Sequence, residues 1–507
     1  MLAERVVHQG AAARRRHAVV IGAGFGGLAA AIRLDALGYR VSVFDRLDAP
    51  GGRARPFHDG GFTFDAGPTI VTAPHLFAEL WQLCGRRIED DVEIRPLAHW
   101  YRIRFHDGEH LDCVADPDAM LAEIARIAPD DVDGYRRFMR AADEAYALGF
   151  EALGDRPFDS PLDMLRVLPA MIRMGSHRSL HAMVARLVRD ERLRFALSFH
   201  PLFVGGNPFR VTAIYSLIGS LERRHGVHHV IGGTGRLASG LSRLLVERGH
   251  RVRQSIEVDR IEVEAGRATG VRLADGESVA ADVVVSNADP AWTYGRLLRH
   301  APRRHWSDRR IERSRFSMGV FVWYFGTARR WPAVSHHTIL VGPRYRALLD
   351  DIFERKVLAK DFSLYLHRPT ANDPSLAPEG CDTFYVLSPV PHLRASIDWA
   401  QAAEPYRQAI ERHLEATLLP GLSGTVLSSR VVTPCHFRDE LLSWHGAAFG
   451  MEPVLTQSAW FRPHNRSQDV DRLFLVGAGT HPGAGLPGVL SSARILDRVV
   501  PHADSLA

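Results

Sequence analysis

The stretch His17-Ala-Val-Val-Ile-Gly22-Ala-Gly-Phe-Gly-Gly27 is a short apolar run that continues into a glycine-rich loop. Leu28 to Leu37 follow with apolar residues at helical spacing, and Arg40 to Asp45 form a second short apolar run that ends on a carboxylate. Strand, glycine turn, helix and strand in this order predict a βαβ unit. The glycines let the backbone approach a pyrophosphate, and the helix N-terminus adds a positive dipole.

Asp45 lies where such units hold a ribose, since a carboxylate at the end of the second strand can accept hydrogen bonds from ribose hydroxyls. A solvated strand end is the alternative interpretation of this residue. The sequence therefore predicts a dinucleotide site, to which this segment contributes Gly22, Ala23, Gly24, Gly26, Gly27, Asp45 and Arg46.

A second group of glycines follows in Pro50-Gly-Gly-Arg-Ala54 and in the run from Gly60 to Thr69. Backbone of this kind can lie flat against a ring, and the fork of donors on Arg53 can neutralise a cofactor phosphate. A surface ion pair is the alternative for Arg53. The predicted cofactor contacts here are Gly52, Arg53, Pro68 and Thr69, with Val258 in a later predicted strand.

The far end of the chain repeats the pattern of strand, glycine loop and helix between Leu473 and Val489. Backbone N–H groups at such a helix start can stabilise the negative charge of a reduced flavin. The predicted contacts are Gly479, Pro487, Gly488 and Val489. His481 lies in this loop and is interpreted as a loop-shaping residue, with a general base as the alternative.

Bulk composition indicates a soluble enzyme with two or three structural units, because 507 residues exceed the size of one hydrophobic core. Four widely spaced cysteines predict reduced thiols. Residues 1–16 are expected to form a basic tail without the apolar region of a secretory signal. We expect no transmembrane span, and hence a cytoplasmic protein.

The order of elements predicts an α/β fold with a discontinuous, Rossmann-like cofactor domain made of residues 17–95, 225–300 and 466–507. Residues 96–128 and 301–465 are predicted to form a mixed-sheet substrate domain. Residues 129–224, which are basic and helical in pattern, are predicted to be an inserted lid that docks on a membrane.

Together with Ile231 to Leu237 and Val285 to Asp289, these motifs resemble the bacterial phytoene desaturases, a carotenoid branch of the flavin amine oxidase superfamily. The resemblance covers nearly the whole chain after Arg16. It is carried further by several longer blocks: Ser198 to Pro208, His336-His337, Gly342 to Tyr345, Asp361 to His367, Ser375 to Gly380 and Pro453 to Pro463. The sequence departs from the family in having Asp45 where Glu is usual and a longer arginine-rich start.

The resemblance implies FAD as the cofactor and phytoene as the substrate, with successive hydride transfers to flavin giving neurosporene or lycopene. It implies a catalytic role for Asp163 and Arg166, whereas a helix salt bridge between residues three apart is the alternative. Because no second dinucleotide motif occurs, we expect no NAD(P)H site, and a quinone or dioxygen is expected to reoxidise the flavin.

Between Ser160 and His200 the chain has seven arginines against three acidic residues, and apolar residues such as Leu165, Leu168 and Ile172 alternate with them. This pattern predicts a helix resting on anionic lipid at the inner face of the cell membrane. An ordinary amphipathic lid helix is the alternative. Nucleic-acid binding is not expected, because no recognition module accompanies the basic residues.

Other functions stay open from sequence alone. A hydroxyneurosporene or diapophytoene desaturase, a carotenoid isomerase or ketolase would differ in tunnel shape. An amine oxidase-like enzyme would need a small aromatic cavity. A prenyl-lipid escort protein would have degraded glycine motifs, whereas here the motifs are intact.

Overall fold

The structure, a computed structural model, describes residues 15–506, so the predicted basic tail lies outside the described residues except for Arg15 and Arg16. The strands of the described chain are β1 His17–Ile21, β2 Arg40–Phe44, β3 Phe57–Asp59, β4 Phe62–Phe64, β5 Ile94–Pro96, β6 His99–Arg104, β7 His110–Val114, β8 His228–Val230, β9 Arg251–Arg253, β10 Val258–Glu264, β11 Arg267–Leu273, β12 Ser278–Ala280, β13 Val283–Ser286, β14 Gly319–Thr327, β15 His337–Leu340, β16 Leu364–His367, β17 Asp382–Val390, β18 Val426–Val432 and β19 Leu473–Leu475.

The helices of the same range are α1 Phe25–Ala36, α2 Pro74–Leu83, α3 Pro117–Ile127, α4 Val132–Tyr146, α5 Pro161–Arg173, α6 Leu180–Val184, α7 Glu191–Ser198, α8 Leu217–His225, α9 Gly235–Glu247, α10 Pro290–Trp292, α11 Asp308–Arg313, α12 Tyr345–Asp350, α13 Trp399–Thr417, α14 Pro434–Asp439, α15 Leu486–Arg494 and α16 Leu496–Val499.

A five-stranded parallel sheet forms the cofactor side of the molecule, in the order β19-β13-β1-β2-β9. Successive side chains of a strand point to opposite faces. Ala18 and Val20 accordingly pack in a core with α1, α2, α9 and α15, whereas Val19 and Ile21 pack against β10 and β11. All five strands come from the three segments predicted to form the cofactor domain.

A seven-stranded mixed sheet, in the order β18-β14-β17-β16-β15-β6-β7, forms the other side. Its pairs are antiparallel except for β15 with β6, which is parallel. One face, with Phe321 and Trp323, packs against α13. The opposite face, with Val322 and Tyr365, turns toward the helical segment. The predicted α/β fold with mixed sheets is confirmed.

The segment 129–224 is helical, with α4, α5, α6, α7 and all but the last residue of α8. Its core residues, such as Phe138, Leu180 and Phe195, pack in the same cluster as the seven-stranded sheet. Within residues 15–506, no helix has both the length and the apolar character needed to cross a bilayer. The lid and membrane-docking roles of this segment stay predictions.

Candidate functional site

A cavity of about 540 Å³ extends from the carboxyl ends of the parallel strands to the face of the seven-stranded sheet. Gly22 follows β1, Asp45 follows β2, Asn287 follows β13 and Gly477 lies just beyond β19, and all four residues line this cavity. The carboxyl edge of an open parallel sheet is where such folds bind their ligands. All but three of the predicted cofactor residues line the cavity; Ala23, Gly27 and Gly479 lie behind it.

Steric constraints require glycine at two positions of the first glycine loop. Gly22 has φ of +94°, which other residues rarely adopt, and a Cβ on Gly27 would lie 1.9 Å from the carbonyl oxygen of Gly22. Gly24 and Gly26 line the cavity directly. The loop thus brings bare backbone to the start of α1, where N–H groups can face a phosphate.

Asp45 is buried at the end of β2 and ties the second strand to the glycine loop. Its carboxylate accepts hydrogen bonds from the backbone N–H of Ala23 at 2.6 Å and of Leu47 at 2.8 Å. Burial raises the pKa of Asp45, and these two N–H donors oppose the rise. Each oxygen has a lone pair left for a ribose hydroxyl. Arg46, beside it, donates to the carbonyls of Asp439 and Glu440.

Arg53 brings a positive charge into the cavity wall. Its Nη2 donates to Ser443 Oγ at 2.8 Å, whereas its Nε is buried without a partner among the described residues. Burial lowers the pKa of this guanidinium, and the buried carboxylate of Asp289 opposes that effect. The Arg53 guanidinium is removed from water and has one N–H group without a partner in the described chain, so it can bind a phosphate oxygen.

Thr69 joins the cofactor segment to the seven-stranded sheet. Its Oγ1 forms hydrogen bonds with the hydroxyls of Tyr365 at 3.0 Å and Tyr385 at 2.9 Å, and all three residues line the cavity. Pro68 also lines the cavity, as does Val258 at the start of β10. These hydrogen bonds between three hydroxyls therefore fix the position of the cofactor segment against the seven-stranded sheet.

The C-terminal loop contributes Pro487, Gly488 and Val489 from the first turn of α15. A Cβ on Gly488 would lie 2.6 Å from the carbonyl oxygen of Gly483, which explains the glycine. Gly479 packs against Pro290. A Cβ on Gly479 would lie 2.2 Å from Cδ of Pro290, so only glycine fits here.

His481 is buried, precedes a cis Pro482 and has its ring edge against Phe158. Burial lowers its pKa to about 3, so its imidazole is neutral. It is not among the residues that line the described cavity, whereas Pro482 is. These contacts favour the loop-shaping interpretation.

Asn287 holds the two glycine loops together and was given no role by sequence reasoning. Cβ atoms on Gly26 and Gly477 would lie 2.4 Å and 2.5 Å from its Oδ1. The side chain therefore fills the space between the loops that follow β1 and β19. Its motif, Val285 to Asp289, carried the family resemblance, and its position after a buried strand was the available signal.

The remainder of the cavity is apolar and aromatic, with walls from α7, α8 and the seven-stranded sheet. Its lining includes Phe195, Phe199, Phe203, Leu217, Val322, Tyr324, Ile339, Tyr345, Leu387, Phe437 and Phe449. Such a surface excludes water and suits a hydrocarbon ligand.

One carboxylate, Glu222, is buried in this apolar wall and was missed by sequence reasoning. It accepts a hydrogen bond from the hydroxyl of Tyr101 at 2.6 Å, and its other oxygen lies 3.2 Å from Nε2 of His200. A buried carboxylate that faces a cavity is a candidate proton acceptor. Glu222 lies in the last turn of α8, and nothing in its local pattern distinguishes it from a solvated helix residue.

Asp163 and Arg166 lie on α5, away from the residues that line the described cavity. Their side chains form an ion pair at 3.2 Å, and Asp163 also accepts from the backbone N–H of Ser160 at 3.1 Å in a capping box. Arg166 is largely exposed. This geometry favours the alternative of a helix salt bridge.

The donor set fits FAD. Glycine backbone at the start of α1, the unused Nε of Arg53 and the carboxylate of Asp45 face one cavity, as a dinucleotide requires. The first turn of α15 offers backbone N–H groups to a ring placed at the junction with the apolar part. The residues present therefore match the cofactor that the resemblance implied.

Residues 25–495 match the family described as flavin containing amine oxidoreductase. The chain is 51% identical over 491 residues to a neurosporene-forming phytoene desaturase of Cereibacter sphaeroides, covering 96% of this chain and 95% of that protein. It is 48% identical over 477 residues to a lycopene-forming phytoene desaturase of Pseudescherichia vulneris, covering 94% and 97%. An oxidoreductase of Methanosarcina mazei with a solved structure shares the fold, with a TM-score of 0.62 at 20% identity over 94% of this chain and 98% of that one.

Proposed function

Because the chain belongs to the phytoene desaturases of the flavin containing amine oxidoreductase family, we propose that it desaturates phytoene with FAD to give neurosporene or lycopene. The observation that carries this proposal is the continuity of the cavity, since the glycine cradle opens directly onto an apolar tunnel. Most of the side chains that line this part of the cavity are apolar or aromatic, which suits a long hydrocarbon substrate.

FAD, when bound, supplies an acceptor for a hydride from the substrate. The chain's own residues would hold it in place: Asp45 would bind the ribose and Arg53 would neutralise a phosphate, while Asn287 fills the space between the two glycine loops. In the first turn of α15, Gly488 would offer its backbone N–H to the ring, whereas Pro487, which has no N–H, would contribute only to the wall.

The apolar walls position the substrate and keep water away from the reacting carbons. Phe199 and Phe203 pack edge to face in the cavity wall, and Tyr324 and Tyr385 form a second aromatic pair that lines it. A linear hydrocarbon offers no polar handle, so its position depends on the shape of this tunnel and on dispersion contacts.

Each desaturation removes a hydride and a proton from adjacent carbons and leaves a new double bond. We propose that an oxygen of Glu222 accepts the proton, because this carboxylate lines the apolar part of the cavity. Tyr101 and His200 hold it from behind, so the free lone pairs can turn toward the substrate.

The outer surface of α5 supports docking on a lipid surface. Leu162, Leu165, Leu168 and Ile172 are exposed to 58%, 60%, 40% and 59%, which is unusual for four large apolar residues of one helix. The helix packs against the turn Ala459–Phe461, where Phe461 is exposed as well. Arginines 166 and 173 flank these residues and favour anionic headgroups. We propose peripheral binding to the inner face of the cell membrane, where phytoene dissolves.

Each desaturation would pass two electrons to the bound cofactor and would need an external oxidant, and we propose that a quinone or dioxygen serves. A membrane quinone would reach the protein from the same lipid phase as the substrate.

Expression in a host that makes only phytoene tests the function. We expect coloured carotenoids whose spectra give the number of conjugated double bonds. The Asp45→Ala variant in the same host is the comparison, because its weaker FAD binding should reduce the amount of coloured product at equal expression. A colourless culture that contains folded, FAD-loaded wild-type protein would contradict the phytoene assignment, and colour obtained only with a shorter or hydroxylated precursor would shift it to another carotenoid.

A further inference from the structure

Three buried histidines converge behind the wall of the cavity: His336, His337 and His367. His337 begins β15 and His367 ends β16, and the two are direct partners in the antiparallel pairing of these strands. One ring nitrogen from each of the three lies within 4.8 Å of the others. The Nε2 atoms of His336 and His367 are 3.1 Å apart, close to the spacing of two ligands on one metal ion.

Hydrogen bonds outside the cluster orient two of these rings. Nδ1 of His336 lies 2.7 Å from Oδ1 of Asn372, and Nδ1 of His337 lies 2.7 Å from the hydroxyl of Tyr365. Metal-ligating histidines usually make such a bond with the nitrogen that does not bind the metal. In both rings this leaves Nε2 for the interior of the cluster.

Several nitrogens of the cluster are unsatisfied. Nε2 of His337 and Nδ1 of His367 are buried and have no hydrogen-bond partner among the described residues. Neutral imidazoles with free lone pairs are the form that binds metal.

A fourth histidine comes from the other side of the molecule. The ring of His229, in β8, lies 4.7 Å from that of His336, and its Nε2 is also buried without a partner in the described chain. β8 immediately precedes the glycine loop Ile231 to Gly235. A ligand held by all four histidines would therefore join the seven-stranded sheet to the segment that leads into α9.

We propose that His336, His337 and His367, with His229 as a fourth ligand, form a binding site for a late first-row transition metal ion such as Zn²⁺. Imidazole nitrogens suit this class of ion, whereas Mg²⁺ and Ca²⁺ prefer oxygen ligands. The ion has a structural role. It ties β8, β15 and β16 together and, through His337, holds the hydroxyl of Tyr365 against Thr69 in the cavity wall.

Metal analysis of tag-free, FAD-loaded full-length protein tests this site, since a histidine tag would bind zinc itself. The protein is expressed in minimal medium supplied with Zn²⁺, so that the ion is available while the buried site folds, and is then passed over a chelating resin. We expect about one zinc ion per chain by plasma mass spectrometry. Expression with Co²⁺ in place of Zn²⁺ should give the visible bands of a four-coordinate site.

The variants His337→Gln and His367→Gln should lower the retained zinc by about tenfold or more. His110→Gln, on β7 outside the cluster, is the matched control and should retain it. Circular dichroism and FAD content show whether each variant has folded. If a variant fails to fold, the wild-type protein still decides, because less than about a tenth of an equivalent of both Zn²⁺ and Co²⁺ would overturn the proposal. Equal zinc in the wild type and in folded cluster variants would overturn it as well. Neither result depends on activity with phytoene.

Discussion

The carboxylate of Asp45 accepts a hydrogen bond from the backbone N–H of Ala23 at 2.6 Å, which links the end of β2 to the glycine loop that follows β1. The same carboxylate is the group proposed to bind the ribose of FAD. One side chain thus shapes the cradle and contacts the ligand, so its loss should affect cofactor binding more than global folding.

Asp45→Ala should weaken FAD binding by about 10- to 100-fold, because a charge-assisted hydrogen bond is lost and the N–H of Ala23 is left without its acceptor. Titration of the apoprotein with FAD, followed by flavin fluorescence, measures the change. Asp48→Asn in the same loop is the control, since the side chain of Asp48 is exposed and its ion pair is with Arg55, not with the glycine loop. Equal affinities of the two variants would contradict the assignment.

Glu222→Gln should lower kcat by about 100-fold, because general bases contribute 10²- to 10⁴-fold and the amide cannot take up a proton. The substituted side chain still accepts from Tyr101, so FAD content and KM should stay near the wild-type values. Product formation is measured with phytoene in liposomes. Tyr101→Phe, which leaves the carboxylate in place, should have a much smaller effect; unchanged turnover in Glu222→Gln would refute the role.

Replacing Leu165 and Ile172 together by Glu should reduce binding to anionic vesicles about tenfold or more, since two exposed apolar side chains are lost and negative charge is added. Sedimentation with phosphatidylglycerol vesicles at low salt measures this. The control is Leu427→Glu, because Leu427 is similarly exposed, at 63%, but lies on β18. If both proteins sediment like the wild type, α5 does not dock on lipid.

Asp163→Asn should leave turnover within about twofold and cost roughly 0.5–1 kcal/mol of stability, because it removes a helix cap and an exposed ion pair. Thermal unfolding and phytoene turnover are measured side by side. A loss of turnover of about 100-fold with full FAD content would restore the catalytic role that the resemblance implied.

The stability of the folded protein should depend on pH through the ionisation of Asp65. Burial raises its pKa from 3.8 to about 6, although Thr234 donates to it from both its backbone N–H and its hydroxyl. The folded state therefore binds this proton more tightly than the unfolded state, and stability from this group is lost as the pH rises from about 4 to 6.

Asp65→Asn removes this ionisation while keeping an oxygen for Thr234. The melting temperature of the variant relative to the wild type should rise between pH 4 and 6 and level off above, by an amount equivalent to about 1–3 kcal/mol. A difference that stays constant across this range would show that Asp65 keeps its ordinary pKa.

Local patterns predicted the parts of the fold that depend on near neighbours. The βαβ unit from His17 to Asp45 and the final strand, loop and helix need only a few consecutive turns of chain, and their apolar spacing and glycines are explicit in the sequence. The helical character of residues 129–224 was equally readable, because composition and periodicity change together there.

Relations between distant elements could not be read in the same way. Glu222 meets Tyr101 only because α8 packs beside β6, and Asn287 reaches both glycine loops only because β13 lies between β1 and β19. His337 and His367 were visible as parts of two motifs, but their contact follows from strand register. Long-range pairing, unlike periodicity, leaves no local trace.

The last strand, β19, pairs with β13 and completes the parallel sheet from residues that follow almost all of the chain. During translation the edge of β13 consequently stays open until Leu475 has left the ribosome, and the second glycine loop emerges later still. The nascent chain lacks the second glycine loop of the cofactor cradle over that period, and its unpaired edge is a template for aggregation. Slower synthesis at low temperature with ample riboflavin should therefore increase the yield of loaded enzyme more than a stronger promoter does.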